Sequence, residues 1–409
     1  MTKSDLYISP AAKALLAKER SYTAGGFAPV PAFFTQAEGS YLHDGDGKKY
    51  IDFIAMFSAV NMGHCNPYIQ QKVIEQIQKV SLVNQAGHSA SVAPFGENVC
   101  QRFGYDKLLS LTSGTEAADT ACKIARKWGI AKKGIPANEC LILGVGESYH
   151  GLSPGVWGLQ DPSPQRKGIK FMLRSFFLKV TNNLDILQLI MEPLHGTSRD
   201  PQAEQDYARE VYDLCKAHNI LFIADEVRQG AGKTGKFFSF QHLGPDVRPD
   251  LVTMGKSITG GFYPQSFILG VDAVLGVVGS YEIGSSYAFS PVGVAAAAAA
   301  LEVIDRERLM EKAERLGEIW RGIVKGWEHP LVDYVASIGA DSNLFVVEGV
   351  DAKRLAALCM HRGLFLYPRP RGLRISFAMT MDGEVLRAGV KILKGCLDDI
   401  DKYGAIEGE

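Results

Sequence analysis

The stretch that decides the fold is ILFIADEVRQGAGKTGKF, residues 220–237. It opens with a short, continuous run of apolar residues and passes directly into two carboxylates and a glycine-rich turn. Runs of this kind are typical of strands that are buried on both faces of a parallel sheet. Three similar runs end at Gly144, Met191 and Met254, and helical patterns lie between them. The alternation predicts an α/β fold, in which helices cover both faces of a mainly parallel sheet.

The two ends of the chain carry a different pattern. Residues 38–53, EGSYLHDGDGKKYIDF, predict a β-hairpin around a GDG turn. Toward the C-terminus, helical stretches alternate with short apolar strands. We therefore expect a large α/β domain of residues 60–300 and a smaller α+β domain built from residues 1–59 and 301–409.

Composition and charge exclude several classes of partner. Of 409 residues, 46% are hydrophobic and 22% are charged, and the net charge is −1, so nothing indicates a nucleic-acid partner. The most apolar stretch, residues 292–304, is shorter than the roughly 20 residues that cross a bilayer, so we expect no membrane association. The 7 cysteines include no C-x-x-C pair. They predict neither a disulfide framework nor a metal site, and they favour a reducing, cytoplasmic compartment.

A helix start at residues 113–116 is a candidate anion site. Ser113 and Glu116 have the spacing of a capping box, which marks the first turn of a helix. Backbone N–H groups and the helix dipole favour an anion there, and Gly114 and Thr115 would allow a phosphate to approach closely. A well-capped helix without any ligand has the same pattern, so this stretch alone leaves both interpretations open.

Two further residues follow buried strands. Asp225 lies just past the strand of residues 220–224, where ligands bind in open α/β sheets. It is a candidate for holding a protonated ring nitrogen, or else an acid that caps a turn. Lys256 follows the next strand, between Gly255 and Gly260. A desolvated lysine has a lowered pKa that favours Schiff-base chemistry, whereas a solvated loop lysine would have no such role.

Taken together, six motifs carry a family resemblance. In chain order they are SGTEA (113–117), YHG (149–151), MEP (191–193), ADEV (224–227), GKSITGG (255–261) and GSSY (284–287). This order resembles the class III pyridoxal-phosphate (PLP) aminotransferases of fold type I, and among them the ornithine aminotransferases. The resemblance runs from about residue 25 to the end.

The resemblance implies a fold, a reaction and a cofactor. The large domain would contain a mainly parallel, seven-stranded sheet, and the protein would be a homodimer with shared active sites. The cofactor would be PLP, and the reaction would move an amino group between an amine or amino acid and a keto acid or aldehyde. An aminomutase or decarboxylating enzyme on the same scaffold, and a non-catalytic paralogue, remain as alternatives.

Roles follow from the resemblance for the cofactor site. Lys256 would form the Schiff base and move the proton, and Asp225 would keep the pyridine nitrogen protonated. Arg228 stands where the family has a glutamine near the cofactor hydroxyl. The other cofactor-binding candidates are Ser113, Gly114 and Thr115 at the phosphate, Tyr149 and Val227 on the two ring faces, His150 and Glu192 beside them, and Ser286 reaching the partner's phosphate.

The substrate positions depart from the ornithine aminotransferases. Phe27 and Phe57 replace two aromatic hydroxyls, Leu152 replaces an arginine, and Thr197 replaces a glutamate. We therefore predict an enzyme that is not selective for ornithine and prefers a more apolar amine. The alternative is that other residues, such as His195 or Arg228, hold the charged ends of ornithine.

A substrate carboxylate has one candidate partner in the sequence. The family arginine stands directly before Phe-Ala, where this chain has Ser376. Arg374 lies two residues earlier, on the same face of the predicted strand. We expect its guanidinium to bind the carboxylate; the alternative is an arginine on the surface of a strand.

Overall fold

A computed structural model describes residues 9–26, 29–83, 86–161, 163, 165 and 186–403. Its strands are β1 (Phe34–Glu38), β2 (Tyr41–Asp44), β3 (Lys49–Asp52), β4 (Lys107–Leu111), β5 (Leu141–Gly144), β6 (Ile186–Met191), β7 (Leu221–Asp225), β8 (Leu251–Met254), β9 (Ser266–Gly270), β10 (Val332–Ile338), β11 (Asp341–Val346), β12 (Leu364–Phe365), β13 (Tyr367–Arg369) and β14 (Gly372–Ser376). Its helices are α1 (Pro10–Tyr22), α2 (Ala55–Ser58), α3 (Pro67–Lys79), α4 (Val92–Phe103), α5 (Gly114–Lys133), α6 (Pro154–Trp157), α7 (Pro201–Ala217), α8 (Asp272–Leu275), α9 (Pro291–Arg306), α10 (Leu309–Lys325), α11 (Ala352–His361) and α12 (Gly383–Tyr403).

The central sheet has the predicted mixed α/β architecture. Its strand order is β4-β9-β8-β7-β6-β5, and β5 to β8 run parallel to one another. Only β9 is antiparallel to its neighbours, β4 and β8. The expectation of a mainly parallel sheet is confirmed. Of the seven strands expected, the described residues supply six, and residues 166–185 between β5 and β6 lie outside the description.

Two small-residue helices allow close packing against this sheet. On α5, the apolar stripe of Ala117, Ala121, Ile124 and Ala125 is fully buried, whereas Trp128 on the same stripe is partly buried. The alanine-rich α9 is buried along most of its length and contacts α3 and the 3-10 turn at Lys256–Thr259. Alanine side chains let helix and sheet approach closely, which brings the start of α5 to the carboxyl ends of β7 and β8.

The two ends of the chain meet in the folded protein. The predicted hairpin is formed by β2 and β3, which pair antiparallel, and β12 adds to β3 in parallel. A second small sheet has the antiparallel order β10-β11-β14-β13. One face of that sheet presents Asp341, Arg374 and Ser376 together, because cross-strand partners share a face. The domain boundaries at residues 59/60 and 300/301 stay a prediction.

Within the described parts of the chain, no helix combines the length and apolarity needed to cross a bilayer. No group of histidine, cysteine and acidic side chains there has the arrangement of a metal site.

Candidate active site

The carboxyl ends of β7 and β8 place Asp225 and Lys256 at one edge of the sheet. The register pairs Asp225 with Thr253, whose hydroxyl donates to Asp225 Oδ1 at 2.9 Å. The Val227 amide donates to the same oxygen at 3.2 Å. His150 Nδ1 donates to the other oxygen, Oδ2, at 2.6 Å. The carboxylate is 2% exposed, so these three contacts hold it in one orientation.

Lys256 carries an amine suited to covalent chemistry. Its backbone has a φ of 47°, an unfavourable value for a lysine that often marks functional positions. Burial lowers the pKa of Lys256 to about 8. The positive charges of Arg228 and Arg374 lower this pKa further, and the negative charge of Glu192 partly opposes them. No described residue forms a hydrogen bond or an ion pair with its Nζ. A substantial fraction of this amine is therefore neutral and nucleophilic near pH 7–8.

The start of α5 lies against the same edge. The predicted capping box is confirmed, since Ser113 Oγ accepts from the Glu116 amide at 3.2 Å and Glu116 Oε2 accepts from the Ser113 amide at 2.9 Å. A Cβ on Gly114 would come within 2.6 Å of Val227 Cγ1, and one on Gly255 within 3.2 Å of the same atom. Val227 thus lies between the start of α5, which is the candidate phosphate site, and the loop that carries Lys256.

The segment after β5 completes this side of the site. A Cβ on Gly151 would fall 2.2 Å from Thr115 Oγ1, so the segment runs along the start of α5. The Tyr149 amide donates to Glu192 Oε2 at 3.2 Å, while its ring is 49% exposed. His150 Nε2 is buried and has no hydrogen-bond partner among the described residues.

Arg228 lies in a buried ion-pair network that the sequence did not indicate. Its Nε donates to Glu192 Oε1 at 2.9 Å and its Nη1 to Asp341 Oδ2 at 2.8 Å. Its Nη2 donates to the His195 carbonyl at 2.7 Å, and Gln229 Nε2 also reaches Asp341 Oδ2, at 2.9 Å. The guanidinium thereby ties the central sheet to β11.

This network fixes the charge of Glu192. Burial, the largest single effect, raises the pKa of Glu192, but Arg228, His195 and His150 together outweigh it and lower this pKa to about 2. Glu192 therefore stays ionised at any physiological pH. Removing one partner of such a buried pair leaves an uncompensated charge, at a loss of about 3–5 kcal/mol in general.

Arg374 lies on β14, close enough for its charge to act on Lys256. Its Nε and Nη2 are buried, and they have no partner in the described part of the chain. Burial, reinforced by the charge on Arg228, lowers the pKa of Arg374 to about 10, which leaves the side chain charged at neutral pH. Its Cζ lies 5.8 Å from the ring centroid of Phe57. Phe57 belongs to α2, whose four residues all have positive φ, between 42° and 67°.

Three of the remaining predicted residues lie in the described part of the chain. Leu152 is 45% exposed, and the Thr197 hydroxyl donates to Glu147 Oε2 at 3.2 Å. Ser286 is exposed and makes no described contact with the residues around Lys256. Phe27 lies outside the described residues.

These groups match one cofactor in particular. An anion-binding helix start, a fixed carboxylate and a partly neutral lysine converge around Val227. A planar aldehyde with a phosphate and a basic ring nitrogen would use all three. Thr115 and Gly114 would hold the phosphate, Asp225 the ring nitrogen and Lys256 the aldehyde carbon. This arrangement defines the class of PLP-dependent enzymes of fold type I.

Comparison with known proteins identifies the family. The chain matches the family Aminotransferase class-III over residues 22–184 and 173–397. It is 33% identical over 407 residues to the ornithine aminotransferase of Schizosaccharomyces pombe, covering 93% of this chain and 92% of that protein. The chain therefore belongs to the class III aminotransferases, and it is a PLP-dependent transaminase. Family membership does not favour the aminomutase or decarboxylating alternative.

Solved structures agree with this assignment. An acetylornithine aminotransferase from Elizabethkingia anophelis superposes with a TM-score of 0.81 at 28% identity, covering 95% of this chain and 99% of that chain. The ornithine δ-aminotransferase of Plasmodium falciparum superposes with a TM-score of 0.82 at 27% identity, covering 96% of this chain and 99% of that chain. Fold type I and the cofactor PLP are thereby confirmed.

Proposed function

We propose that this aminotransferase takes the amino group from an amine with an apolar body and transfers it to a keto acid whose carboxylate is bound by Arg374. The observation that carries the proposal is the buried guanidinium of Arg374, which has no counter-ion among the described residues. A buried cation without a partner is costly, so a carboxylate ligand that neutralises it binds with a large gain.

In this proposal Lys256 and Asp225 have separate roles in the reaction. When bound, PLP supplies the electron sink for the bond that breaks at the substrate carbon. Lys256 takes the proton from that carbon and returns it, because its lowered pKa suits proton transfer near neutral pH. Asp225 keeps the ring nitrogen protonated, and the contacts from His150 and Thr253 hold its carboxylate in place for that task.

The residues at the predicted substrate positions support an apolar donor. Phe57 is 39% exposed and Leu152 45% exposed, and neither carries a polar atom on its side chain. Thr197 itself offers no charge to a second ammonium group, and the Glu147 carboxylate beside it already accepts from the Thr197 hydroxyl. Burying an ammonium without a partner costs several kcal/mol, so ornithine would bind poorly.

A substrate series tests this preference. We expect kcat/KM for an apolar primary amine or a neutral L-amino acid to exceed that for ornithine at least tenfold, which is about 1.4 kcal/mol of transition-state preference. Thr197→Glu should raise the relative activity toward ornithine, since it adds a carboxylate for the second ammonium. An ornithine value tenfold above all others in the wild-type enzyme would contradict the proposal.

We further propose a homodimer with shared active sites. Ser286 lies on an exposed segment next to Tyr287, which is 49% exposed, and near Tyr281, which is fully exposed. Exposed aromatic side chains in one region are typical of protein interfaces. Sedimentation should give twice the chain mass of 44.5 kDa at micromolar concentration, and a fully active monomer would overturn this.

A cytoplasmic location also remains a proposal. Its support is that no disulfide bond joins any of the seven cysteines, as expected in a reducing compartment. Cell fractionation would check it.

A further inference from the structure

A second guanidinium, that of Arg369, reaches the same face of the β14 sheet. Arg369 lies on β13 opposite Gly372, and Gly372 has no side chain to block its path. Its Nη1 donates to Asn343 Oδ1 on β11 at 2.6 Å. Asn343 is itself the cross-strand partner of Arg374. Arg369 therefore contacts the asparagine whose position on β11 pairs with that of Arg374 on β14.

Charge is unbalanced in this region. Three arginines, Arg228, Arg369 and Arg374, lie near two buried carboxylates, Glu192 and Asp341. Arg228 forms ion pairs with both carboxylates. Burial lowers the pKa of Arg369, and the neighbouring charge of Arg228 adds to this effect. Among the described residues, no carboxylate forms an ion pair with Arg369 or with Arg374.

Space for a ligand exists beside Arg369. A cavity of about 600 Å³ is bounded by Arg369, Tyr334, Thr197 and Glu147. Glu147 lies on this wall, but it accepts a hydrogen bond from Thr197 and does not pair with the arginine. The guanidinium of Arg369 thus borders an open volume with its charge unpaired among the described residues.

We propose that Arg369 is a specificity-determining residue that binds the distal carboxylate of the amino acceptor, while Arg374 binds the carboxylate next to the reacting carbon. Diagonal neighbours on antiparallel strands lie about 7–8 Å apart, a separation that suits the two ends of a short dicarboxylate. The group that binds the distal carboxylate would thus come from β13, because Leu152 stands where the resemblance places an arginine. This inference rests on the proposed role of Arg374.

Equilibrium binding separates this proposal from the proposed function, because it needs no turnover. Titration calorimetry of the holoenzyme would compare glutarate with butyrate. We expect the wild type to bind glutarate more tightly, and Arg369→Met to lose at least tenfold in glutarate affinity with butyrate unchanged. Arg371→Met is the matched control on the same hairpin. Arg371 is exposed, and this variant should leave both affinities unchanged.

Kinetics should show the same selectivity. In Arg369→Met, KM for 2-oxoglutarate should rise while kcat and the KM for pyruvate stay near wild type. Arg369→Gln, which can still donate to Asn343, should behave like Arg369→Met, whereas a structural role of Arg369 predicts that glutamine restores glutarate binding.

Equal losses for glutarate and butyrate, or no loss for either, would overturn the assignment of Arg369. Arg374→Met should weaken both acids. If Arg374→Met weakens the binding of neither acid, Arg374 does not bind the substrate carboxylate and the proposed function is wrong on that point. The glutarate affinity of Arg369→Met still decides the role of Arg369 by itself.

Discussion

Replacing Lys256 by alanine is expected to abolish transamination while the fold is retained. The variant loses the amine that we propose as the anchor of the cofactor and as the group that moves the proton. Acid–base assistance alone contributes about 10²–10⁴-fold, and covalent capture adds to it. Because burial disfavours the charged lysine and no described residue pairs with its Nζ, its removal should not lower the free energy of unfolding.

Two measurements decide this prediction. Single-turnover transamination measures the loss of activity, and a denaturant titration measures stability. Lys236→Ala is the matched control, because Lys236 is an exposed lysine whose Nζ donates to the Gln241 carbonyl at 2.9 Å. Near-normal turnover in Lys256→Ala would remove Lys256 from the mechanism.

Replacing Asp225 by alanine is expected to lower kcat by about 10²–10³, the scale of removing one preorganised electrostatic group. In the role that we propose for Asp225, loss of the carboxylate lets the ring nitrogen lose its proton at neutral pH, which weakens the pull on the developing carbanion. Stability should fall less, by about 1–3 kcal/mol, because His150 Nδ1 and the Thr253 hydroxyl are left without their acceptor.

A neighbouring acid provides the control for Asp225. Glu226 is equally buried, but its carboxylate accepts from the Ser239 hydroxyl at 2.7 Å and from the Phe240 amide at 2.9 Å, away from Asp225's partners. Glu226→Gln should therefore affect unfolding more than kcat. Asp225→Asn, which keeps the shape and loses the charge, should be nearly as inactive as the alanine variant. High activity in Asp225→Asn would mean that the charge is not needed.

Local sequence predicted those parts of the site that depend on single elements. The apolar runs that became β7 and β8 are short and continuous, so their ends, with Asp225 and Lys256, could be placed at one edge of a parallel sheet. The capping box at Ser113 involves residues three apart, which is why it could be read directly.

Contacts between distant parts of the chain were beyond reach from sequence. Arg228 and Asp341 are separated by 113 positions, and their ion pair depends on how β11 packs against the loop after β7. His150 and Asp225 were both assigned to the cofactor, but their hydrogen bond across 75 positions was not foreseen. No local sequence pattern marked Arg369, because its position in the site depends on Gly372 and Asn343, which lie on two other strands of the same sheet.

The most direct test of the account asks which lysine carries the cofactor. The purified enzyme would be saturated with PLP, reduced with borohydride and digested, and the modified peptide would be located by mass spectrometry. We predict a phosphopyridoxyl group on Lys256, in the peptide that contains Gly255 and Ser257, and none in Lys256→Ala. Modification of a different lysine, such as the fully buried Lys233, or a protein that takes up no PLP, would contradict the account.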